Sequence, residues 1–326
     1  MSDSRLQILL HLSDGKFHAG TVLAKKLGMS RAAVWKHIQH LQADGLPIKA
    51  SRGKGYCLDY PVCLLDEASI RQHLNQRSCE PQIRILWQTT STNDQLKRTV
   101  DEKLRSGVVC IAEQQTAGRG TRGRQWLSPP GVNIYLSFYW QFERAASELS
   151  GLSLAVAIAL AQALASRGQQ EIMIKWPNDL HTAKGKLGGI LIDMLAETNG
   201  PTRAIIGVGL NMGMPAEHAA VLDQAIDDLC WQQAALALDR NQLAAMIIDT
   251  LYECCEIYDA QGFLAYHKQW PRWDMLEGKA VTLQKGLTTI EGTASGIDET
   301  GALLLLTAQG KTSHASGDVS LRVKPV

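Results

Sequence analysis

No two of the seven cysteines (57, 63, 79, 110, 230, 254 and 255) are spaced C-x-x-C, and seven is an odd set. That excludes a disulfide framework and a cysteine zinc site, and free thiols fit a reducing cytoplasm. The nine histidines form no H-E-x-x-H spacing, which removes the zinc-protease reading as well. There is no internal repeat and no low-complexity tract, so neither a solenoid nor a disordered tail is expected. The longest apolar stretch, Leu152 to Ala161, is too short to span a bilayer and reads as a buried helix. No basic-plus-apolar leader precedes the first helix, and no membrane partner is expected.

A dominant charge of one sign is also missing, since the net charge is only +1. The balance hides an asymmetry. Residues 1–60 hold nine Lys and Arg against four Asp, and the remainder holds 24 basic and 28 acidic residues. A front at +5 ahead of a body at −4 points to contact between the front and a polyanion.

What is present explains the basic front. Leu23 and Leu27 mark a short helix, Gly28-Met-Ser30 turns the chain, and Val34, Ile38 and Leu41 stripe a second helix. Ser30 is placed to cap that helix, which leaves Arg31, Trp35 and Lys36 off the buried stripe and free for a DNA groove. Pro47-Ile-Lys-Ala and Tyr56-Cys-Leu flank Ser51-Arg-Gly-Lys-Gly, a hairpin whose tip carries Arg52 and Lys54. The pattern is a winged helix-turn-helix over 1–62; a scaffold or protein-interaction role is its alternative.

From 63 to 274 apolar runs alternate with amphipathic helices, as in a mixed α/β domain. The strand candidates are 83–88, 108–112, 134–140, 172–176, 189–194 and 203–209, and the helix candidates are 93–105, 150–166 and 241–260. Residues 275–326 hold short runs (280–283, 303–306, 319–322) divided by Gly286, Gly301, Gly310 and Gly317, the texture of a small antiparallel barrel. The fold class is therefore α+β and multidomain.

The most informative string is Gly118-Arg-Gly-Thr-Arg-Gly-Arg-Gln-Trp126, in which three guanidiniums and three glycines share an irregular segment. Glycines admit an anion to the backbone N–H groups, and each Arg offers a planar fork of donors. The G-x-G-x-x-G spacing is not a dinucleotide fingerprint, because a second strand, not a helix, follows it. A solvated basic loop or a nucleic-acid patch is the plainer reading. Three further groups stand where strands meet loops: Ser91-Thr-Asn93, Lys175-Trp-Pro-Asn-Asp179 and Lys184-Gly-Lys186-Leu-Gly-Gly. Gly207-Val-Gly-Leu-Asn211 ends another strand on an amide. Pro177 and Asn178 stop the strand before them, so that Lys175 and Asp179 can share a cleft or form a plain surface ion pair.

Taken in order, these motifs resemble the bacterial bifunctional biotin–protein ligase and biotin-operon repressor family. The resemblance runs from about residue 6 to 322 and rests on Ser30-Arg-Ala-Ala-Val-Trp-Lys-His-Ile, Arg52-Gly-Lys-Gly-Tyr56, Ser91-Thr-Asn93, Gln115, Gly118–Trp126, Lys175–Asp179, Lys186-Leu-Gly-Gly and Gly209-Leu-Asn211. It implies a central domain of the biotin/lipoate ligase type, an SH3-like C-terminal barrel, and ATP, biotin and magnesium as reactants and cofactor. Biotin is implied at Ser91, Thr92, Asn93, Gln115, Arg119, Gly120, Thr121 and Lys186. Adenylate is implied at Arg119, Arg122, Arg124, Trp126, Lys175, Asn178, Asp179 and Asn211. The chemistry is carried by Arg119, Lys175, Asp179 and Lys186. Magnesium arrives on the ATP phosphates with no protein ligand identified, and Asp179 is left as a base or as a magnesium or lysine partner. The implied partners are the biotin carboxyl carrier protein of acetyl-CoA carboxylase, biotin operator DNA and, with biotinyl-5′-adenylate bound, a second copy of the chain. In the family the fourth loop position is commonly Arg; here it is Thr121. A ligand-sensing winged-helix regulator without catalysis is the rival reading, and a lipoate- or octanoyl-transferring relative is a third.

Overall fold

The computed structural model describes residues 3–60, 62–77, 79–100, 104–168, 171–195, 201–222, 224–229, 239–316 and 319–323. Cys230 and Gly317 therefore lie outside the described residues, as do 101–103 of the helix expected over 93–105.

The front segment is three helices and a hairpin: α1 (Asp3–Leu12), α2 (Gly20–Lys26), α3 (Arg31–Ala43), β1 (Ile48–Ser51) and β2 (Gly55–Leu58). Leu23, Val34, Ile38 and Leu41 are fully buried with Ile8, Leu9 and Leu12, so the helical stripe is the core face. Gly28 sits at φ 62°, a left-handed conformation that ends α2, and the Ser30 hydroxyl accepts from the Ala33 N–H at 3.1 Å to start α3. The hairpin runs in register from Ile48↔Leu58 to Ser51↔Gly55, and the His18 backbone bonds Tyr56 in both directions at 2.8 and 2.9 Å. The wing is thereby held to the segment entering α2.

The body begins with α4 (Glu67–His73), capped by the Asp66 side chain with Glu67 in its first turn. There follow β3 (Gln82–Thr89), α5 (Thr92–Lys97), β4 (Val108–Gln115), β5 (Ile134–Phe142), α6 (Leu152–Ser166), β6 (Met173–Lys175), β7 (Asp179–His181), β8 (Lys186–Leu195), β9 (Thr202–Leu210), α7 (Ala216–Ala219), α8 (Arg240–Gln261) and α9 (Leu264–His267). The seven strands lie in the order β3-β4-β5-β9-β8-β7-β6; β3 and β4 are parallel and every other pair is antiparallel. The helix expected over 93–105 stops at Lys97. There the Thr99 hydroxyl takes the Leu96 carbonyl at 2.8 Å, and the β-branched pair Thr99-Val100 disfavours another turn. The apolar helix α6 is mostly buried against α8 and the sheet. The span 146–166 is long and apolar enough to cross a membrane, with a mean hydropathy of 1.8, but its burial makes it a core element.

One buried cluster ties front to body. Arg240, with no exposed surface, donates to Glu113 Oε2 at 2.7 Å, to the Cys63 carbonyl at 2.5 Å and to the Asn133 carbonyl at 2.7 Å. Glu113 Oε1 accepts the Leu65 N–H at 2.6 Å, and the Asn241 side chain bonds Leu64 and Asp66. The segment leaving the wing is thus fastened to β4 and α8 by buried polar groups that satisfy one another.

The last unit has five strands, β10 (Ala280–Lys285), β11 (Thr288–Ile297), β12 (Leu303–Thr307), β13 (Gly310–His314) and β14 (Val319–Val323). They form an all-antiparallel sheet in the order β13-β12-β11-β10-β14, two strands more than the apolar runs marked. β11 and β13 are half-polar, which hides them from a search for apolar runs. The Trp176 indole N–H joins this unit to the main sheet through the Gly301 carbonyl at 3.0 Å.

Candidate active site

Directly opposed residues of antiparallel strands share a face. One row across the sheet therefore reads Lys175, Asp179, Gly189, Gly209, Tyr135, and the next Leu191, Gly207, Ser137. Glycines lie at the centre of both rows. A Cβ at Gly207 would stand 2.4 Å from Asn93 Oδ1, and one at Gly209 would stand 2.6 Å from the Trp126 indole. The floor is glycine because α5 and the loop indole press directly on the backbone. Above it is a cleft with about 700 Å³ of unfilled space.

Ser91, Thr92, Asn93, Gln115, Arg119, Gly120, Thr121, Arg124, Trp126, Asn178, Asp179 and Lys186 all line this cleft. Lys175, Arg122 and Asn211 do not. Lys175 faces the same side one strand beyond Asp179. Arg122, at φ 60°, turns its Nη2 to the Gln284 carbonyl at 3.3 Å. Asn211 is buried, its Nδ2 donating to the carbonyls of Lys186 (3.2 Å) and Asp227 (3.1 Å).

The cleft end near α5 is a chain of neutral polar groups. Gln115 Oε1 accepts from the Thr92 N–H at 2.9 Å and from its hydroxyl at 3.1 Å, while its Nε2 donates to the Ser128 hydroxyl at 3.1 Å. The fully buried Ser137 hydroxyl lies 2.7 Å from Thr92 Oγ1 and 2.5 Å from Asn93 Oδ1. The other end is charged. Lys186 Nζ meets Asp179 Oδ1 at 2.8 Å and lies 5.3 Å from the centroid of the Trp126 ring. A lysine buried to this degree needs such a partner. The Asp179 carboxylate thus bonds Lys186. The bulge between Leu180 and His181 puts Lys186 within reach of its own hairpin partner strand.

His181 is buried beside this pair, and loss of hydration pushes its imidazolium pKa down to about 4. The nearby Lys175 and Lys186 push the same way, and Asp179 opposes them. Trp126 Nε1, Asn211 Oδ1 and His181 Nε2 are buried with no hydrogen-bond partner among the described residues.

The Gly/Arg segment closes the cleft as a small hairpin. The Gly120 N–H bonds the Arg124 carbonyl at 2.7 Å, the Trp126 N–H bonds the Gly118 carbonyl at 2.8 Å, and Thr121–Gly123 makes one 3-10 turn. Arg124 Nη2 donates to the Thr121 hydroxyl at 3.1 Å. Arg119 meets two carboxylates, Asp94 at 2.6 Å and Asp193 at 3.0 Å. Sequence reasoning missed Ser137, Ser128, Asp94 and Asp193. Only Ser137 carried a signal, as a lone small polar residue within an apolar strand.

In the front segment Ser30, Arg31, Trp35, Lys36, Arg52 and Lys54 are all exposed, with Trp35 at 56%. Arg31, Trp35 and Arg52 line one groove between α3 and the wing.

Three family descriptions match the chain: HTH domain over 4–57, Biotin/lipoate A/B protein ligase family over 86–211, and Biotin protein ligase C terminal domain over 278–322. The bifunctional ligase/repressor BirA of Salmonella typhimurium is 40% identical over 317 residues, covering 97% of each chain. Its counterpart from Escherichia coli is 39% identical over the same length, with the same coverage. The biotin protein ligase of Aquifex aeolicus, solved in complex with biotin and ATP, superposes with a TM-score of 0.62 at 26% identity, over 74% of this chain and 99% of that one. With the reading head, the glycine-floored cleft and the antiparallel C-terminal unit all matched in order, the chain belongs to the bifunctional biotin ligase/repressor family.

Proposed function

We propose that this cleft is where the chain, an ATP-dependent biotin–protein ligase and repressor of biotin-synthesis genes, makes biotinyl-5′-adenylate and passes biotin to a carrier lysine. The observation that carries the reading is the buried Lys186–Asp179 pair opposite a neutral hydrogen-bonding end formed by Thr92, Asn93, Gln115 and Ser137. Biotin offers a ureido ring for the neutral end and a carboxylate for Lys186. A binding module needs no buried lysine at the anion; a reaction that joins two anions does.

In the first half-reaction a biotin carboxylate oxygen attacks the α-phosphorus of ATP. The new P–O bond forms as the bond to diphosphate breaks. Lys186 offsets part of the repulsion between the anions, Arg119 turns guanidinium donors toward them, and the Trp126 indole, which lines the cleft with an N–H unpartnered among the described residues, offers a donor to the adenine. Magnesium carried on the ATP phosphates would add neutralising charge there. In the second half-reaction the ε-amine of a lysine on the biotin carboxyl carrier protein attacks the acyl carbon, AMP leaves, and one proton must depart. A free lysine has a pKa of about 10.4, so an acceptor is required. Asp179 orients Lys186 in the first step and can take that proton in the second. The loop is the water shield of the mixed anhydride.

The units divide the labour as 1–62 for operator DNA, 63–274 for the chemistry and 275–326 as the buttress that Arg122 touches. Two copies joined with biotinyl-adenylate bound would present two reading heads to a two-fold site. The cytoplasm is the expected compartment. Lys186→Ala tests the assignment. Single-turnover adenylate formation should fall about 10²- to 10³-fold, the usual loss for one aimed donor. A wild-type rate in Lys186→Ala would remove Lys186 from the reaction.

A further inference from the structure

Arg119 is bound in a way that neither half-reaction explains. Its Nη2 donates to Asp94 Oδ1 at 2.6 Å and to Asp193 Oδ2 at 3.0 Å, and that same Asp193 oxygen accepts Asn93 Nδ2 at 3.0 Å. The carboxylates come from α5 and β8. Nε and Nη1 of Arg119 have no partner among the described residues, and the side chain lines the cleft. Two carboxylates on one guanidinium leave a local charge of −1, which by itself would repel the carboxylate and phosphate of the reactants. The arrangement therefore serves orientation, not attraction. Fixing one nitrogen of a planar fork aims the other two, and an Arg already aimed loses less freedom when it binds an anion.

We infer that Asp94 and Asp193 form a carboxylate clamp that positions Arg119 toward the biotinyl-adenylate and fastens the 118–126 hairpin to α5 and β8. Both carboxylates are positioning residues, since they act through Arg119. The inference rests on the ligase reading of the cleft. The loop's backbone bonds close the hairpin on itself, Gly118 to Trp126 and Gly120 to Arg124, whereas the Arg119 clamp joins it to α5 and β8. The clamp is partly exposed, at 40%, 35% and 21% for the Arg119, Asp94 and Asp193 side chains. Its effect is accordingly that of a screened pair, roughly two- to fivefold per carboxylate in ligand retention.

The test uses the full chain and pre-formed biotinyl-5′-adenylate, with release followed after a chase. Asp94→Asn and Asp193→Asn should each speed release about two- to fivefold, with an unchanged melting temperature, and Asp94→Glu should recover most of the retention. In an Arg119→Ala background Asp94→Asn should have no further effect, because its route of action is gone. Unchanged or slower release in Asp94→Asn, or its full effect persisting without Arg119, overturns the clamp. Failure of the wild-type chain to retain the adenylate at all would instead strike the ligase reading.

Discussion

The cations of the reading head and those of the cleft are arranged in opposite ways. Arg31, Lys36, Arg52 and Lys54 are exposed, and among the described residues none has a carboxylate within ion-pair distance. Lys186 is buried against Asp179, and Arg119 is held by two carboxylates. A polyanion rewards the first arrangement, because each phosphate neutralised releases counter-ions from a surface that keeps its own charge in solution. A small anion in a cleft rewards the second, since a cation there is best paired and aimed before the ligand arrives, and a buried one such as Lys186 must be. The same residue types thus mark two functions, and pairing tells them apart, since Arg119 is exposed like the head cations yet held by two carboxylates.

The comparison breaks most visibly at the head. Replacing Arg31, Lys36, Arg52 and Lys54 by Ala together should lower operator affinity by about three orders of magnitude near 0.1 M salt and flatten the log–log salt slope by about 0.9 for each lost phosphate contact. Carrier biotinylation should persist. An unchanged salt slope in a gel-shift titration would mean that these side chains do not meet DNA.

The junction between the two regions comes next. Arg240→Met leaves Glu113 buried without its partner, which should cost about 3–5 kcal/mol in chemical denaturation. A loss under 1 kcal/mol would mean that water or rearrangement satisfies Glu113. The linker and β4 would then be less tightly joined than the hydrogen bonds imply.

The cleft carries a pH signature of its own. His181 has its pKa pushed down to about 4 in the folded chain, against an unfolded value near 6.5. Below 6.5 the unfolded chain takes up a proton that the folded chain refuses. Stability is therefore lost as pH falls from 6.5 toward 4, by about 3 kcal/mol in total, and is untouched by this group above 6.5. His181→Phe should remove that slope from unfolding measurements at pH 4.5 and 6.5; a slope identical to wild type would assign it elsewhere.

A smaller effect concerns Thr121, whose hydroxyl accepts from Arg124 where the family commonly has an arginine. One guanidinium hydrogen bond to an anion contributes about 1.5–3 kcal/mol, so Thr121→Arg should slow adenylate release roughly ten- to a hundredfold. Equal off-rates would show that Arg124 already fills the role.

Much of this was legible along the chain because the physics is local. Gly28 and Ser30 announce the turn of the reading head by backbone freedom and capping, and the glycine-rich loop announces itself by composition. Strand positions followed from apolar runs. What was hidden depends on register between distant strands. Ser137 lies under the site only because β5 sets it opposite Gly207, and Asp94 and Asp193, far apart in the chain, meet at Arg119 only in the fold. Lys175 and Asp179 were read together as sequence neighbours and do share a face. The charge partner of Asp179 nevertheless comes from β8, because a bulge in the β7–β8 pairing shifts the register there. The helix over 93–105 was overdrawn because a threonine hydroxyl competing for a carbonyl leaves no trace in periodicity.

The most direct measurement incubates the full chain with labelled biotin, ATP-magnesium and the carrier domain and follows label on the acceptor lysine together with AMP and diphosphate. The cleft described above requires covalent label, with one AMP and one diphosphate released for each biotin transferred. Biotin bound without cleavage of ATP would instead make the body a sensor, and the buried Lys186–Asp179 pair a structural feature only.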